Sequence, residues 1–174
     1  VITYSALISA CEKGKQPERA WEVFQAMQQQ GLAQNVITYS ALISACEKGK
    51  QPERAWEVFQ AMQQQGLAQD VITYSALISA CEKGKQPERA WEVFQAMQQQ
   101  GLAQNVITYN ALISACEKGK QPERAWEVFQ AMQQQGLAQD VITYSALISA
   151  CEKGKQPERA WEVFQAMQQQ GLAQ

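Results

Sequence analysis

The sequence contains no histidine, which removes the side chain most used for proton transfer near neutral pH and for binding transition metals. It also lacks a Gly-rich phosphate-cradling loop, a cluster of metal-ligating residues and a serine with a base placed beside it, so an enzyme is the weakest reading and neither a metal nor a cofactor is expected. Cysteines are few, and Cys11, Cys46, Cys81, Cys116 and Cys151 stand too evenly apart for a disulfide framework or a zinc pair. Isolated thiols among apolar residues suit a reducing compartment, where cysteine behaves as a small buried hydrophobe. No apolar run approaches the length of a membrane span, and the N-terminus has neither the charged nor the apolar region of a signal peptide. The expectation is a soluble protein with no visible address, no membrane partner and no small-molecule substrate. An excess of positive charge is missing too: 15 basic residues face 17 acidic ones, a net charge of -2, so no strongly basic field draws nucleic acid non-specifically.

What the chain has is repetition. The string VITYSALISACEKGKQPERAWEVFQAMQQQGLAQ starts, with one variable position, at Val1, Val36, Val71, Val106 and Val141. The repeats therefore run 1–35, 36–70, 71–105, 106–140 and 141–174, the last one residue short, and together they predict a single solenoid over 1–174. Charges cancel within each copy, Lys13, Lys15 and Arg19 against Glu12, Glu18 and Glu22, and Asp70 and Asp140 supply the net charge. The chain starts without Met and shows no distinct polar first or last repeat, although solenoid ends normally need capping. A processed piece, a designed array and a window on a longer array all fit, and near-identity between copies suggests consensus design or recent duplication.

Within one copy, Tyr4, Leu7, Ile8 and Cys11 recur at helical steps with Ala10 widening the stripe, which predicts a first helix from about Thr3 to Lys13. Gly14 and Lys15 read as its C-cap and turn, with Gly expected in the left-handed conformation. Pro17 then fits the first position of a second helix, Glu18 suits the positive end of its dipole, and Gly31 stops it after about Gln30. Ala20, Trp21, Val23, Phe24 and Met27 form its apolar side, so the aromatic residues are core residues first and ligand-stacking residues only second. Neither helix buries its face alone, so hairpins must stack and share a core.

Opposite that core, Ile2, Ser5, Ser9 and Glu12 share one side of the first helix, which stacking turns into a continuous inner surface. An aliphatic residue at the position of Ile2, repeated five times, either packs on the neighbouring repeat or meets a ligand. Only two columns vary between copies: Ser5, Ser40, Ser75, Asn110, Ser145, and Asn35, Asp70, Asn105, Asp140. Ser, Asn and Asp present different donors and acceptors, so these columns read either as a ligand readout or as tolerated exchanges at a surface or helix cap.

The residues TYSALISACEKG, ERAWEVFQAM and GLAQN resemble the pentatricopeptide repeat, in all five copies and at its 35-residue period. That resemblance implies an all-α, right-handed superhelical solenoid of five helix-turn-helix repeats that binds single-stranded RNA, one base per repeat. It implies that the fifth and last residues of each repeat read the base: Ser5/Asn35 and Ser75/Asn105 adenine, Ser40/Asp70 guanine, Asn110/Asp140 uracil, with Ser145 lacking a partner. The expected target is 5′-A-G-A-U-(N)-3′, running 5′ to 3′ from the N-terminus. Ile2, Ile37, Ile72, Ile107 and Ile142 would sandwich bases, and Lys13, Lys48, Lys83, Lys118 and Lys153 would meet phosphates, against the plainer reading of solvated charge at a helix end. If all five lysines did so, the log-log salt slope would be about -3.5. The family implies an organelle, though no transit peptide is visible, and its members that cut or edit RNA carry a further domain. The alternative is a structural or protein-binding solenoid that associates end to end through heterologous faces.

Overall fold

The computed structural model describes residues 2–172, with side chains from Thr3 onward. Among the described residues every regular element is an α-helix, two per repeat: α1 Ile2–Lys13, α2 Pro17–Gln29, α3 Val36–Lys48, α4 Pro52–Gln64, α5 Val71–Lys83, α6 Pro87–Gln99, α7 Val106–Lys118, α8 Pro122–Gln134, α9 Val141–Lys153 and α10 Pro157–Gln169. The fold is an all-α helical repeat solenoid, and it divides into two compact units, Val1–Gly84 and Lys85–Gln174. In the first unit α1, α3 and α5 pack in a row, while α2 and α4 each lie against the first helix of their own repeat and of the next. In the second, α7 and α9 pack together, α6 and α8 lie against the following first helix, and α8 and α10 close their own hairpins. None of the described helices is long and apolar enough to cross a membrane.

The second helices start at proline in every repeat, where the missing N–H costs nothing. The first helices start two residues earlier than their apolar stripe suggests, because the last residue of the preceding repeat caps them: Asn35, Asp70, Asn105 and Asp140 each accept the backbone N–H three residues on. Stacking buries Tyr39, Leu42, Ile43 and Cys46 from one side and Ala55, Val58, Phe59 and Met62 from the other. Consecutive repeats interlock through edge-to-face rings, Phe24 on Tyr39 at 5.5 Å and Phe94 on Tyr109 at 5.1 Å, the arrangement that ring quadrupoles favour. Burial pushes the Cys46 and Cys116 thiols up to about 12, which makes them packing groups rather than nucleophiles.

Two expectations fail here. Gly49 is right-handed, with φ -82°, and the left-handed residue is the lysine after it, Lys50 at φ 55°. The glycine is needed for another reason: a Cβ on Gly49 would collide with the ring of Pro17 in the preceding repeat, and one on Gly84 with Pro52. The left-handed glycines are those that end the second helices, such as Gly66 at φ 66°. The tryptophans are not core residues either. Trp21 is half-buried at the rim, with the Arg54 guanidinium of the next repeat 5.5 Å above its ring.

Candidate nucleic-acid interface

Three of the helix caps described above, Asn35, Asp70 and Asp140, are also part of hydrogen-bond networks that cross a repeat boundary. The buried Thr38 is the hub of the first. Its backbone N–H and its hydroxyl both donate to Asn35 Oδ1, at 2.9 and 3.0 Å, and its Oγ lies 2.7 Å from Ser5 Oγ. Since Asn35 Oδ1 can only accept, it takes the single hydroxyl hydrogen of Thr38, and Ser5 must donate its own to Thr38. Ser5 then faces outward with lone pairs only, and Asn35 with its amide N–H groups only. At the next boundary Thr73 donates twice to Asp70 Oδ1, both at 2.8 Å, and Ser40 Oγ is 3.2 Å from Thr73 Oγ1. By the same count Ser40 and Asp70 Oδ2 are both acceptors.

In the second unit Asn110 stands at the fifth position of the fourth repeat, and its network changes sign. Asn110 Nδ2 donates to Asp140 at 3.1 Å, Asn110 Oδ1 accepts from Thr143 at 2.6 Å, and Thr143 N donates to Asp140 Oδ1 at 2.9 Å. One Asn110 N–H is left outward as a donor beside the Asp140 carboxylate. Burial alone would raise the Asp140 pKa, but hydrogen bonds from Thr143 and Asn110 outweigh it and hold the carboxyl below its ordinary value. The two variable columns, separated by 30 residues within a repeat, are thereby brought together, and the threonine that joins them went unnoticed in the sequence. Its signal was present as Asn/Asp followed three residues later by Thr at a helix start.

Beside the fifth-position residues, Ile37, Ile72, Ile107 and Ile142 are 65 to 71% exposed. Most of each side chain is open to solvent, an apolar surface three residues before each of these fifth-position residues. The Ile2 side chain lies outside the described residues. Further along the same helix side, the lysines sit in ion pairs across the boundary: Lys48 with Glu12, Lys83 with Glu47 at 2.5 Å, and Lys153 with Glu117. Ser44, Ser79 and Ser149 donate to the same carboxylate oxygens. The bond from Lys48 is the main reason that the Glu12 carboxyl lies below its ordinary pKa.

Sequence profiles place this architecture. The PPR repeat family matches residues 1–48 and 104–153, the pentatricopeptide repeat domain matches 57–119, and the PPR repeat matches 37–67 and 142–172. The chain belongs to the pentatricopeptide repeat family. No curated protein matches it by sequence. Among solved structures it superposes on the pentatricopeptide repeat protein PPR10 in complex with an 18-nt psaJ RNA element, with a TM-score of 0.80 and 24% identity over 98% of this chain and 25% of that one. PPR10 from maize gives a TM-score of 0.78 and 28% identity, covering 97% of this chain and 24% of the other. The PPR domain of Arabidopsis thaliana protein-only RNase P 1 in complex with tRNA gives 0.80 and 15%, covering 93% and 86%. The chain thus spans about a quarter of PPR10. Its pentatricopeptide repeats put Ser5, Asn35, Ser40, Asp70, Asn110 and Asp140 at boundary networks; Asn105 accepts from Thr108, Ser75 and Asn105 are half-buried, and Ser145 is exposed.

Proposed function

We propose that this chain is a sequence-specific binder of single-stranded RNA, its five repeats serving one strand at one base per repeat, and not an enzyme. The observation that carries the reading is the outward polarity of the boundary networks. Ser5 with Asn35 presents an acceptor and then a donor, which complements the N6 amino group and N1 of adenine. Ser40 with Asp70 presents two acceptors, which suit the N1–H and N2 amino group of guanine. Asn110 with Asp140 presents a donor and then an acceptor, which suits a uracil carbonyl beside N3–H. Ser75 with Asn105 has the residues of an adenine reader. Cytosine offers the same order of groups as adenine, so purine size must supplement hydrogen bonding in the two Ser/Asn repeats. The exposed isoleucines supply apolar faces between which a base is held, and binding of RNA by the structurally similar PPR10 supports the choice of ligand.

Fluorescence anisotropy tests this with a labelled RNA containing AGAU at low salt, beside AGGU and poly-C. Preference for AGAU, shifted toward AGGU by Asn105→Asp, is the expected result. Equal affinity for all three removes the code.

A second reading, end-to-end association of copies of this chain, draws on Trp161, 60% exposed, and Leu7, 48% exposed, at positions that other repeats cover. Sedimentation that varies with concentration would favour it, and a constant monomer mass would count against it.

A further inference from the structure

The lysines of the RNA-facing stripe are not bare cations. Each described pair has the same construction. A glutamate at the twelfth position of one repeat points across the boundary, and the next repeat's first helix brings a serine and, four residues on, a lysine to one carboxylate oxygen. Residues four apart lie on one helix face, so the two donors converge on the carboxylate from the same side. The glutamate side chains are only 13 to 17% exposed, while the lysines are 34 to 38% exposed. The carboxylate therefore lies underneath and the ammonium on top. An ammonium has three N–H groups, and one is given to the carboxylate, so two remain for an incoming oxygen. The twelfth position is seven residues beyond the base-reading fifth position, about 10 Å along the same helix face.

We propose that Glu12, Glu47 and Glu117 are positioning residues that temper RNA affinity: each fixes the neighbouring repeat's lysine on the exposed side of its helix while cancelling much of its charge, so that backbone binding stays weak and base recognition decides the outcome. This rests on the RNA-binding reading above. A phosphate bound to Lys48 or Lys83 must approach a carboxylate a few ångströms behind the ammonium, and that repulsion in water lowers affinity about threefold per contact. The balanced charge of the whole chain follows from the same design, since every repeat carries the glutamate along with the lysine. A binder built this way gains little from counterion release, and its salt slope falls short of the roughly -3.5 that five unopposed lysines would give.

The test compares Glu47→Gln/Glu117→Gln with Glu57→Gln/Glu127→Gln, a control with the same charge change at exposed positions on α4 and α8. Glutamine keeps the oxygen that accepts from serine and lysine, and circular dichroism checks that both proteins fold. Anisotropy with AGAU RNA and poly-C across a salt series should show the first variant binding both RNAs about tenfold tighter, two contacts at about threefold each. Its salt slope should steepen by up to about 1.4, about 0.7 per phosphate. Its preference for AGAU over poly-C should shrink or stay level, while the control follows the parent protein. Equal shifts in both variants, or none in the first, overturn the proposal. If the double variant does not fold, Glu47→Gln and Glu117→Gln are measured singly, with about threefold expected for each. If no RNA binds to any of the proteins, the RNA reading fails, and heparin, a polyanion without bases, decides the remainder. Later elution of Glu47→Gln/Glu117→Gln than of the control keeps the tempering role, and identical elution ends it.

Discussion

The polarity argument depends on a single hydroxyl in each repeat. In Thr73 it is fully committed to Asp70, and this forces Ser40 to donate inward and face a ligand as an acceptor. Thr73→Val keeps the shape and the backbone N–H that the cap needs but removes the hub. Ser40 is then free to rotate and can donate outward as readily as accept, so its repeat should lose most of its guanine preference in anisotropy with AGAU against AAAU. Urea unfolding should show a cost of about 1–2 kcal/mol, because Asp70 and Ser40 each lose a partner in a part-buried setting. Unchanged discrimination with lowered stability would show that the threonine only caps. The isoleucines separate stability from binding in the opposite way. Ile72 is 71% exposed, so Ile72→Ala should leave unfolding within about 0.5 kcal/mol of the parent, yet weaken RNA binding by about 1 kcal/mol if a base rests on that side chain. Exposure of these isoleucines was not legible in the sequence, where packing on a neighbour and contact with a ligand stood equal. Their exposure in the fold, 65 to 71%, leaves little surface for the first option.

At the level of helices and turns, what the sequence hid is equally specific. Periodicity located both helices of the repeat, and proline and the closing glycine fixed two of the boundaries. The start of the first helix was set two residues too late because its cap belongs to the previous copy of the repeat. The turn between the helices was placed on the right residues, Gly14 and Lys15, but its left-handed conformation was assigned to the glycine. Local rules expect glycine to take the left-handed conformation, but here an inter-repeat contact claims the glycine and the next residue, Lys50, takes the strain. Gly49→Ala should therefore destabilise the protein by roughly 1–3 kcal/mol through overpacking against Pro17. Lys50→Gly should be neutral or stabilising by up to about 1 kcal/mol, since it relieves a left-handed non-glycine residue. Denaturant unfolding of the pair gives opposite signs if this division of labour is right, and the reverse order would restore the assignment suggested by sequence alone.

Within the two units, the features that join consecutive repeats include two kinds that differ in their response to pH: an apolar core of Tyr, Leu, Phe and Met that titrates nowhere near neutrality, and carboxylates that accept from the following repeat. Only the second kind responds to acid, so pH separates their contributions. Glu12 and Asp140 both have folded pKa values below their ordinary 4.5 and 3.8. A depressed carboxyl stabilises the fold only while it is ionised in the native state, because the unfolded chain binds its proton more readily. Its contribution is complete above the unfolded value and is lost as pH falls through the lower folded one. Thermal melting followed by circular dichroism should therefore be level from neutral pH down to about 5 and decline below about 4.5. With no histidine in the chain, no side chain is left whose ordinary pKa lies between pH 5 and 8. A decline that begins above pH 5 would mean that some other group controls the stacking. A level profile through pH 3 would mean that the carboxylate networks serve recognition and contribute nothing measurable to the fold.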